Sequence, residues 1–375
     1  MDNQGETMIH PETSQSRFSG LHPRDVPRVI SWNTTFKCNL RCAHCYMSSD
    51  SHVELDELST EEGKMLIDQL AELSKPVLIL SGGEPLMRKD IFELAKYGTE
   101  KGLKMAMGTN GTLINDDTAK KLVESGVLSV AISMDSARAE LHDTFRGLAG
   151  AWERAIEGVK ACQRHGIAVR FNTTVTKENF NEIKDILQLA DDLGLLDVQL
   201  FFLVPTGRGK EVEDITPEMY EKMIEDVLVK YSDHPMTVKP TCAPQFMRIA
   251  DQLGQDTSRW TRGCIAGMSY GRVYPQGEVT PCPYLPVKLG NIKDQSFAEI
   301  WTNSPILKEL RDFDKLKGRC GICEYKSECG GCRARAYGLT TEFMDACGSL
   351  HEPHDLQGDF LEEEPWCTYQ PKGVE

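Results

Sequence analysis

No apolar run in this chain reaches the roughly 18 residues that a membrane-spanning helix requires. The N-terminal stretch also lacks the charged-then-apolar pattern of a secretory signal. The expectation is a cytoplasmic protein with no membrane partner. Positive charge is scarce as well. Lys and Arg number 42 against 57 Asp and Glu, and the resulting net charge of −15 repels phosphate backbones and argues against nucleic acid as a bulk partner. Local basic sites for small anionic ligands stay open. What the sequence does have is material for a core: 375 residues at 40% hydrophobic content suffice for two domains, or for one large barrel with an appendage.

Cysteine is the plentiful residue. Thirteen occur in a chain without an export signal, so they read as metal ligands rather than as a disulfide scaffold, because a reducing cytosol keeps thiols free. Their placement is uneven. Cys38, Cys42 and Cys45 form a C-x3-C-x2-C run at the front, Cys162 stands alone, and nine lie between Cys242 and Cys367. Three closely spaced thiolates can hold three corners of a [4Fe–4S] cluster, whose usual complement is four cysteines, and leave one iron open to a ligand. A zinc knuckle is the competing reading, with His44 inside the run as a fourth donor. Cys162 falls within an amphipathic helical pattern and reads as a small core residue.

The chain in order supports a parallel α/β architecture. Residues 1–26 are polar, without periodicity, and read as a flexible arm. Strands are expected at 28–33, 77–80, 104–107, 127–132, 168–174 and 198–204, separated by helices at 59–73, 89–101, 116–125, 150–165 and 179–193. Six strands alternating with helices imply right-handed crossovers and a sheet that is open or partly closed into a barrel. Polar or glycine-rich clusters follow the strands, among them Ser81-Gly82-Gly83-Glu84-Pro85, Gly108-Thr109-Asn110-Gly111 and Ser133-Met134-Asp135-Ser136. In such folds ligands bind at the carboxyl ends of strands, so these clusters would share one rim with the cysteine loop.

The C-x3-C-x2-C spacing, followed by Gly82-Gly83-Glu84-Pro85 behind the next strand, resembles the radical SAM superfamily. The resemblance implies a partial (βα)6 barrel over residues 27–235, with Cys38, Cys42 and Cys45 on the cluster that binds S-adenosylmethionine. Gly82, Gly83 and Glu84 would lie at its methionine end, where glycines admit close backbone approach and a carboxylate accepts from an ammonium. Ser133, Asp135 and Asn172 read as ribose or carboxylate contacts, with helix capping and loop solvation as the competing reading.

The later cysteines, Cys264, Gly277-x4-Cys282, Cys320-x2-Cys323-x5-Cys329-x2-Cys332 and Cys367, resemble the SPASM extension found behind many radical SAM domains. That extension would occupy residues 236–375 and carry one or two auxiliary [4Fe–4S] clusters. By analogy, Cys320, Cys323 and Cys329 would pair with Cys367, and Cys264, Cys282 and Cys332 would form a second set with Cys242. The family usually has three residues before its sixth cysteine where this chain has two, which leaves the sharing open. Cys347 is the rival late ligand; His351 and His354 in the same insertion read first as part of a solvated loop, with iron ligation as the alternative.

Further stretches narrow the likeness: Arg28-Val-Ile-Ser-Trp-Asn, Phe201-Phe-Leu-Val-Pro-Thr-Gly-Arg-Gly209, Arg262-Gly-Cys264 and Gly330-Gly-Cys-Arg-Ala-Arg-Ala-Tyr337 resemble the radical SAM enzymes of the alternative, sirohaem-dependent haem pathway. Within that group the chain looks most similar to the 12,18-didecarboxysirohaem deacetylases. The resemblance implies an iron tetrapyrrole substrate, removal of two acetates to give Fe-coproporphyrin III, and a small reductant such as a ferredoxin or flavodoxin. Two alternatives stand beside it: oxidative decarboxylation of Fe-coproporphyrin III propionates, as in haem b synthase, and peptide or protein maturation. Arg208, Arg248 and Arg272 are the candidate clamps for substrate carboxylates, with a plain surface charge as the competing reading of each taken singly.

Overall fold

The computed structural model describes residues 21–52, 55–258, 260–340, 350, 352 and 354–372. Cys347 and His351 lie outside the described residues. The strands β1 (Val29–Asn33), β2 (Val77–Ser81), β3 (Lys104–Thr109), β4 (Val127–Ser133), β5 (Ala168–Val175) and β6 (Asp197–Phe202) correspond to the six expected. Between them run the helices α1 (Thr60–Leu73), α2 (Ile91–Glu100), α3 (Asp116–Glu124), α4 (Ala139–Arg146), α5 (Ala151–Arg164) and α6 (Ile183–Asp192). Then come α7 (Pro217–Lys230), β7 (Thr237–Thr241), α8 (Phe246–Gln252), β8 (Tyr270–Val273), β9 (Glu278–Thr280) and β10 (Gly290–Asn291). The short helices α9 (Phe297–Asn303), α10 (Pro305–Leu310), α11 (Gly318–Ile322) and α12 (Arg333–Leu339) finish the chain.

All ten strands form one sheet, ordered β10-β9-β8-β1-β2-β3-β4-β5-β6-β7. The eight strands from β8 to β7 run parallel, and β9 and β10 are antiparallel additions. Two parallel strands therefore exceed the sequence expectation, and the sheet continues past residue 236. Both were hard to read for a physical reason. β7 carries Lys239 and Pro240, a composition tolerated at a sheet edge, and β8 is four residues long with Gly271 and Arg272 in it.

Strand side chains alternate between two environments. One set, Ile30, Trp32, Leu78, Leu80, Val130, Ile132 and Phe171, is wholly buried in the main hydrophobic core with helix residues such as Leu66, Ile67 and Leu70 of α1. The helices present matching stripes because their ends are fixed: α1 begins at a reciprocal Ser59–Glu62 capping box. The other set, including Ser31, Ile79, Ala131, Asn172, Gln199, Lys239 and Arg272, lines a single cavity of about 580 Å3. Residues from β1 through β8 all reach it, so the sheet curves around it as a barrel wall.

The end of the expected N-terminal arm is tied down. Pro23–Asp25 forms a 3-10 turn, the Trp301 indole donates to the Asp25 carbonyl at 2.8 Å, and the Arg24 guanidinium stacks 4.5 Å over Phe313. Among the described residues no helix is long and apolar enough to cross a membrane.

Candidate iron–sulfur and cofactor site

The loop after β1 is held by its own backbone and by two neighbours. Cys38 N donates to Asp50 O at 3.0 Å and Ala43 N to Phe145 O at 3.0 Å. From the segment after β6, Arg208 N donates to Cys45 O at 3.0 Å, while its guanidinium donates to Cys42 O (2.9 Å) and Ser49 O (3.0 Å). Gly207 makes this approach feasible: it sits at φ +55°, and a Cβ there would lie 2.5 Å from the carbonyl oxygens of Cys45 and Tyr46. The guanidinium of Arg208 is thus spent on the loop.

Cys38, Cys42 and Cys45 all face the barrel cavity. Burial pushes the Cys38 thiol up to about 12 and raises Cys42 as well, with Arg146 pulling Cys42 back. Two sulfurs accept hydrogen bonds, Cys38 Sγ from Leu40 N at 3.4 Å and Cys42 Sγ from Arg146 Nη1 at 3.7 Å. Hydrogen bonds of this kind tune cluster sulfurs. Three thiols from one loop, converging on a cavity far larger than themselves, fit a cluster with an open iron. His44 also borders this cavity, with its ring stacked on Phe145 at 4.5 Å and 8°, and burial lowers it to about 4.

Gly82 and Gly83 also line the cavity, but their missing side chains serve the protein itself. A Cβ on Gly83 would stand 2.3 Å from Lys37 O, and Gly83 N and Glu84 N donate to Thr35 O and Lys37 O at 2.7 and 2.8 Å. Glu84 is fully buried and does not line the cavity. Its carboxylate accepts from Thr109 Oγ1 (2.8 Å), Asn110 N (2.9 Å) and Leu86 N (3.2 Å), and burial outweighs these bonds to lift it to about 7. It thereby fixes Asn110, whose amide donates to Asn39 Oδ1 at 2.9 Å inside the cysteine loop.

Ser133 and Asn172 face the cavity side by side, in register across β4 and β5, and Asn172 Oδ1 is buried without a partner. Asp135 is turned away. Its carboxylate pairs with Arg146 and accepts from Thr174 N at 2.8 Å. Arg146, at the end of α4, was not anticipated. It lines the cavity and links Asp135 to Cys42, and only its neighbour Gly147, a left-handed helix stop, hinted at its place.

The later cysteines separate into two groups. Cys320, Cys323, Cys329 and Cys367 surround a cavity of about 30 Å3. Cys320 Sγ accepts from Glu364 N at 3.3 Å and Arg333 Nη2 at 3.6 Å, and Arg319 donates to Cys367 O at 2.7 Å while clamping Glu363. Arg248 belongs to this region: it lines the small cavity, pairs with Glu221 at 2.9 Å and stacks on Tyr369. It does not reach the barrel cavity.

Cys242, Cys264, Cys282 and Cys332 instead face the large cavity, within electrostatic reach of one another. Cys242 follows β7 directly and holds φ +57°, a strained conformation for a residue with a Cβ. Tyr220 OH (2.7 Å) and Arg335 Nη2 (2.8 Å) pin its carbonyl. Glu364 ties the groups together: its backbone bonds Cys320 Sγ, its side chain accepts from Cys332 N at 2.5 Å, and it pairs with Arg335 at 3.5 Å. Neither Glu364 nor Arg335 carries a spacing signal that would reveal this in the sequence. Among the described residues no three donors converge as a single-ion site; the sulfurs ring cavities, as a cluster needs.

Comparison with known proteins agrees with this geometry. The model of the radical SAM superfamily matches residues 32–190, and that of the SPASM iron–sulfur cluster-binding domain matches residues 264–333. The chain is 43% identical over 358 residues to the AdoMet-dependent heme synthase of Methanosarcina barkeri, covering 92% of this chain and 98% of that protein. It is 33% identical over 339 residues to the Fe-coproporphyrin III synthase of the same organism, covering 82% and 83%. The fold matches that of Streptococcus suis SuiB bound to its precursor peptide SuiA, with a TM-score of 0.71 at 18% identity over 87% of this chain and 76% of that one. The three-cysteine loop, the barrel cavity it faces and the iron–sulfur extension behind it therefore place this chain in the radical SAM enzyme family, SPASM branch, with a [4Fe–4S] cluster, S-adenosylmethionine and auxiliary iron–sulfur as its cofactors.

Proposed function

We propose that this chain completes haem synthesis by converting two propionates of Fe-coproporphyrin III to vinyl groups. One observation carries the choice: identity to the AdoMet-dependent heme synthase is 43% over nearly the whole of that protein, against 33% for the Fe-coproporphyrin III synthase. The acetate removal expected from the sequence belongs to the same pathway, one step earlier, since its product is the substrate proposed here.

Cys38, Cys42 and Cys45 would hold the cluster that binds S-adenosylmethionine, Cys320, Cys323, Cys329 and Cys367 a second, and Cys242, Cys264, Cys282 and Cys332 a third. When bound, these groups supply the electron that splits the sulfonium and accept the one released as each propionate loses a hydrogen atom and CO2. The chain's own residues do the rest. Gly82, Gly83, Ser133 and Asn172 line the wall where the cofactor's polar end would lie, and Arg146, paired with Asp135, donates to the Cys42 sulfur beside it. Glu84 and Asp135 act one layer back, by fixing Asn110 and Arg146. A cytoplasmic ferredoxin or flavodoxin would provide the reducing electron.

The test is anaerobic reconstitution with iron and sulfide, followed by S-adenosylmethionine, a reductant and either Fe-coproporphyrin III or 12,18-didecarboxysirohaem. The proposal predicts divinyl product from the first substrate, read by mass, and no turnover of the second. Methyl groups in place of acetates on the second would assign the chain to the earlier step.

A further inference from the structure

Although the chain carries a net charge of −15, among the described residues no Asp or Glu lines the barrel cavity, and five Lys or Arg side chains do. Three of the five are already engaged. Arg146 pairs with Asp135, Arg170 with Asp197 at 3.1 Å, and Arg208 donates to two carbonyls of the cysteine loop. Arg272 and Lys239 are left, and among the described residues neither has a carboxylate within ion-pair distance.

Arg272 is only 5% exposed. Its guanidinium donates to Asn33 Oδ1 and the Tyr46 hydroxyl, and to Tyr270 OH at 3.4 Å, while its Nε is buried without a partner. All three partners are neutral groups. A buried cation surrounded by neutral dipoles is unfavourable unless an anion joins it, so the fold leaves room for one that the protein does not itself supply. Lys239 projects into the cavity from β7, close enough to Asp197 and Arg170 to feel both charges. Because Arg170 already neutralises Asp197, that trio keeps one net positive charge.

The two residues stand on β8 and β7, the outermost of the eight parallel strands, and so at the two ends of the run of strands that forms the cavity wall. We infer that Arg272 and Lys239 are the two docking points for substrate carboxylates. A rigid ligand with diverging carboxylate arms would neutralise both at once, which a neutral substrate could not. The inference rests on the proposed function and adds to it: the arms held by these cations would orient the macrocycle and decide which propionates meet the radical. Arg suits a bidentate carboxylate, Lys a point contact.

The test is equilibrium binding of Fe-coproporphyrin III and of its tetramethyl ester to the reconstituted full-length protein, followed in the Soret band. Iron, sulfide and the low-temperature EPR signal are measured alongside. Arg272→Met and Lys239→Met should each weaken binding of the free acid by about 10- to 100-fold. They should also erase the preference for acid over ester, with iron content unchanged, and Arg272→Lys should recover part of the loss. Equal affinity of wild type and both variants for the free acid would overturn the inference. Loss of iron in Arg272→Met would overturn it for Arg272, making that residue a counter-ion of the iron–sulfur site. Failure of the wild type to bind either porphyrin, while it still cleaves S-adenosylmethionine, would instead sink the proposed function and this inference with it.

Discussion

The Cys38–Cys45 loop and the Cys320–Cys367 pocket both gather thiols, yet they offer opposite surroundings. The first supplies three sulfurs from one short loop and faces a cavity of about 580 Å3; the second supplies four sulfurs from two chain segments around about 30 Å3. An open coordination position is useful only where a ligand can reach it, and a closed one suits a group that passes electrons or staples the chain. Under the proposed function the difference matches a division of roles: chemistry at the front, electron storage and folding at the rear. Cys242, Cys264, Cys282 and Cys332 fall between, four sulfurs that border the reaction cavity.

The sharpest contrast comes from removing one ligand at each end. Cys42→Ala should abolish formation of 5′-deoxyadenosine while keeping the rear iron. Cys320→Ala should lose a similar amount of iron yet still cleave S-adenosylmethionine. Chromatography of the nucleoside and iron per chain decide it, and equal loss of cleavage in both variants would break the comparison.

Iron removal should also act unevenly. Among the described residues the segment from α11 to Cys367 has only short helices and, under the proposed ligand set, would be held in part by iron, whereas the barrel strands rest on an extensive apolar core. After chelation, amide exchange should rise around Cys320–Cys332 and Glu364–Cys367 while β2 to β5 stay protected.

A smaller effect is expected where no ligand is touched. Gly207→Ala places a Cβ against the Cys45 and Tyr46 carbonyls at a positive φ, so it should cost more than about 1 kcal/mol and slow S-adenosylmethionine cleavage without lowering rear iron. Thermal melts and single-turnover rates measure the two parts. The smallest effect belongs to Cys162→Ala: the residue is wholly buried in α5, away from the other thiols, and the change should cost about 1 kcal/mol with iron content intact.

Much of this was legible in the sequence because it is local. Strands β1 to β6 announce themselves as short apolar runs bounded by turn residues, and the spacing within Cys38–Cys45 and Cys320–Cys332 is metal chemistry written in consecutive residues. What could not be read depends on distant segments meeting. β7 and β8 look polar because their inward faces line a cavity. Glu84 reads as a cofactor ligand by its position after β2, yet its carboxylate is taken by Thr109 and Asn110, a pairing across 25 residues or more. Arg146 and Glu364 gain their roles only through packing against Cys42 and Cys332.

The central claim, that the front sulfurs leave one iron free for S-adenosylmethionine, is tested most directly by EPR of reduced protein carrying single cluster types. A Cys264→Ala/Cys320→Ala background isolates the front cluster, and its signal should shift when S-adenosylmethionine is added. The Cys42→Ala protein, with rear clusters only, should show no shift. An unmoved front signal, or a shift confined to the rear, would contradict the account.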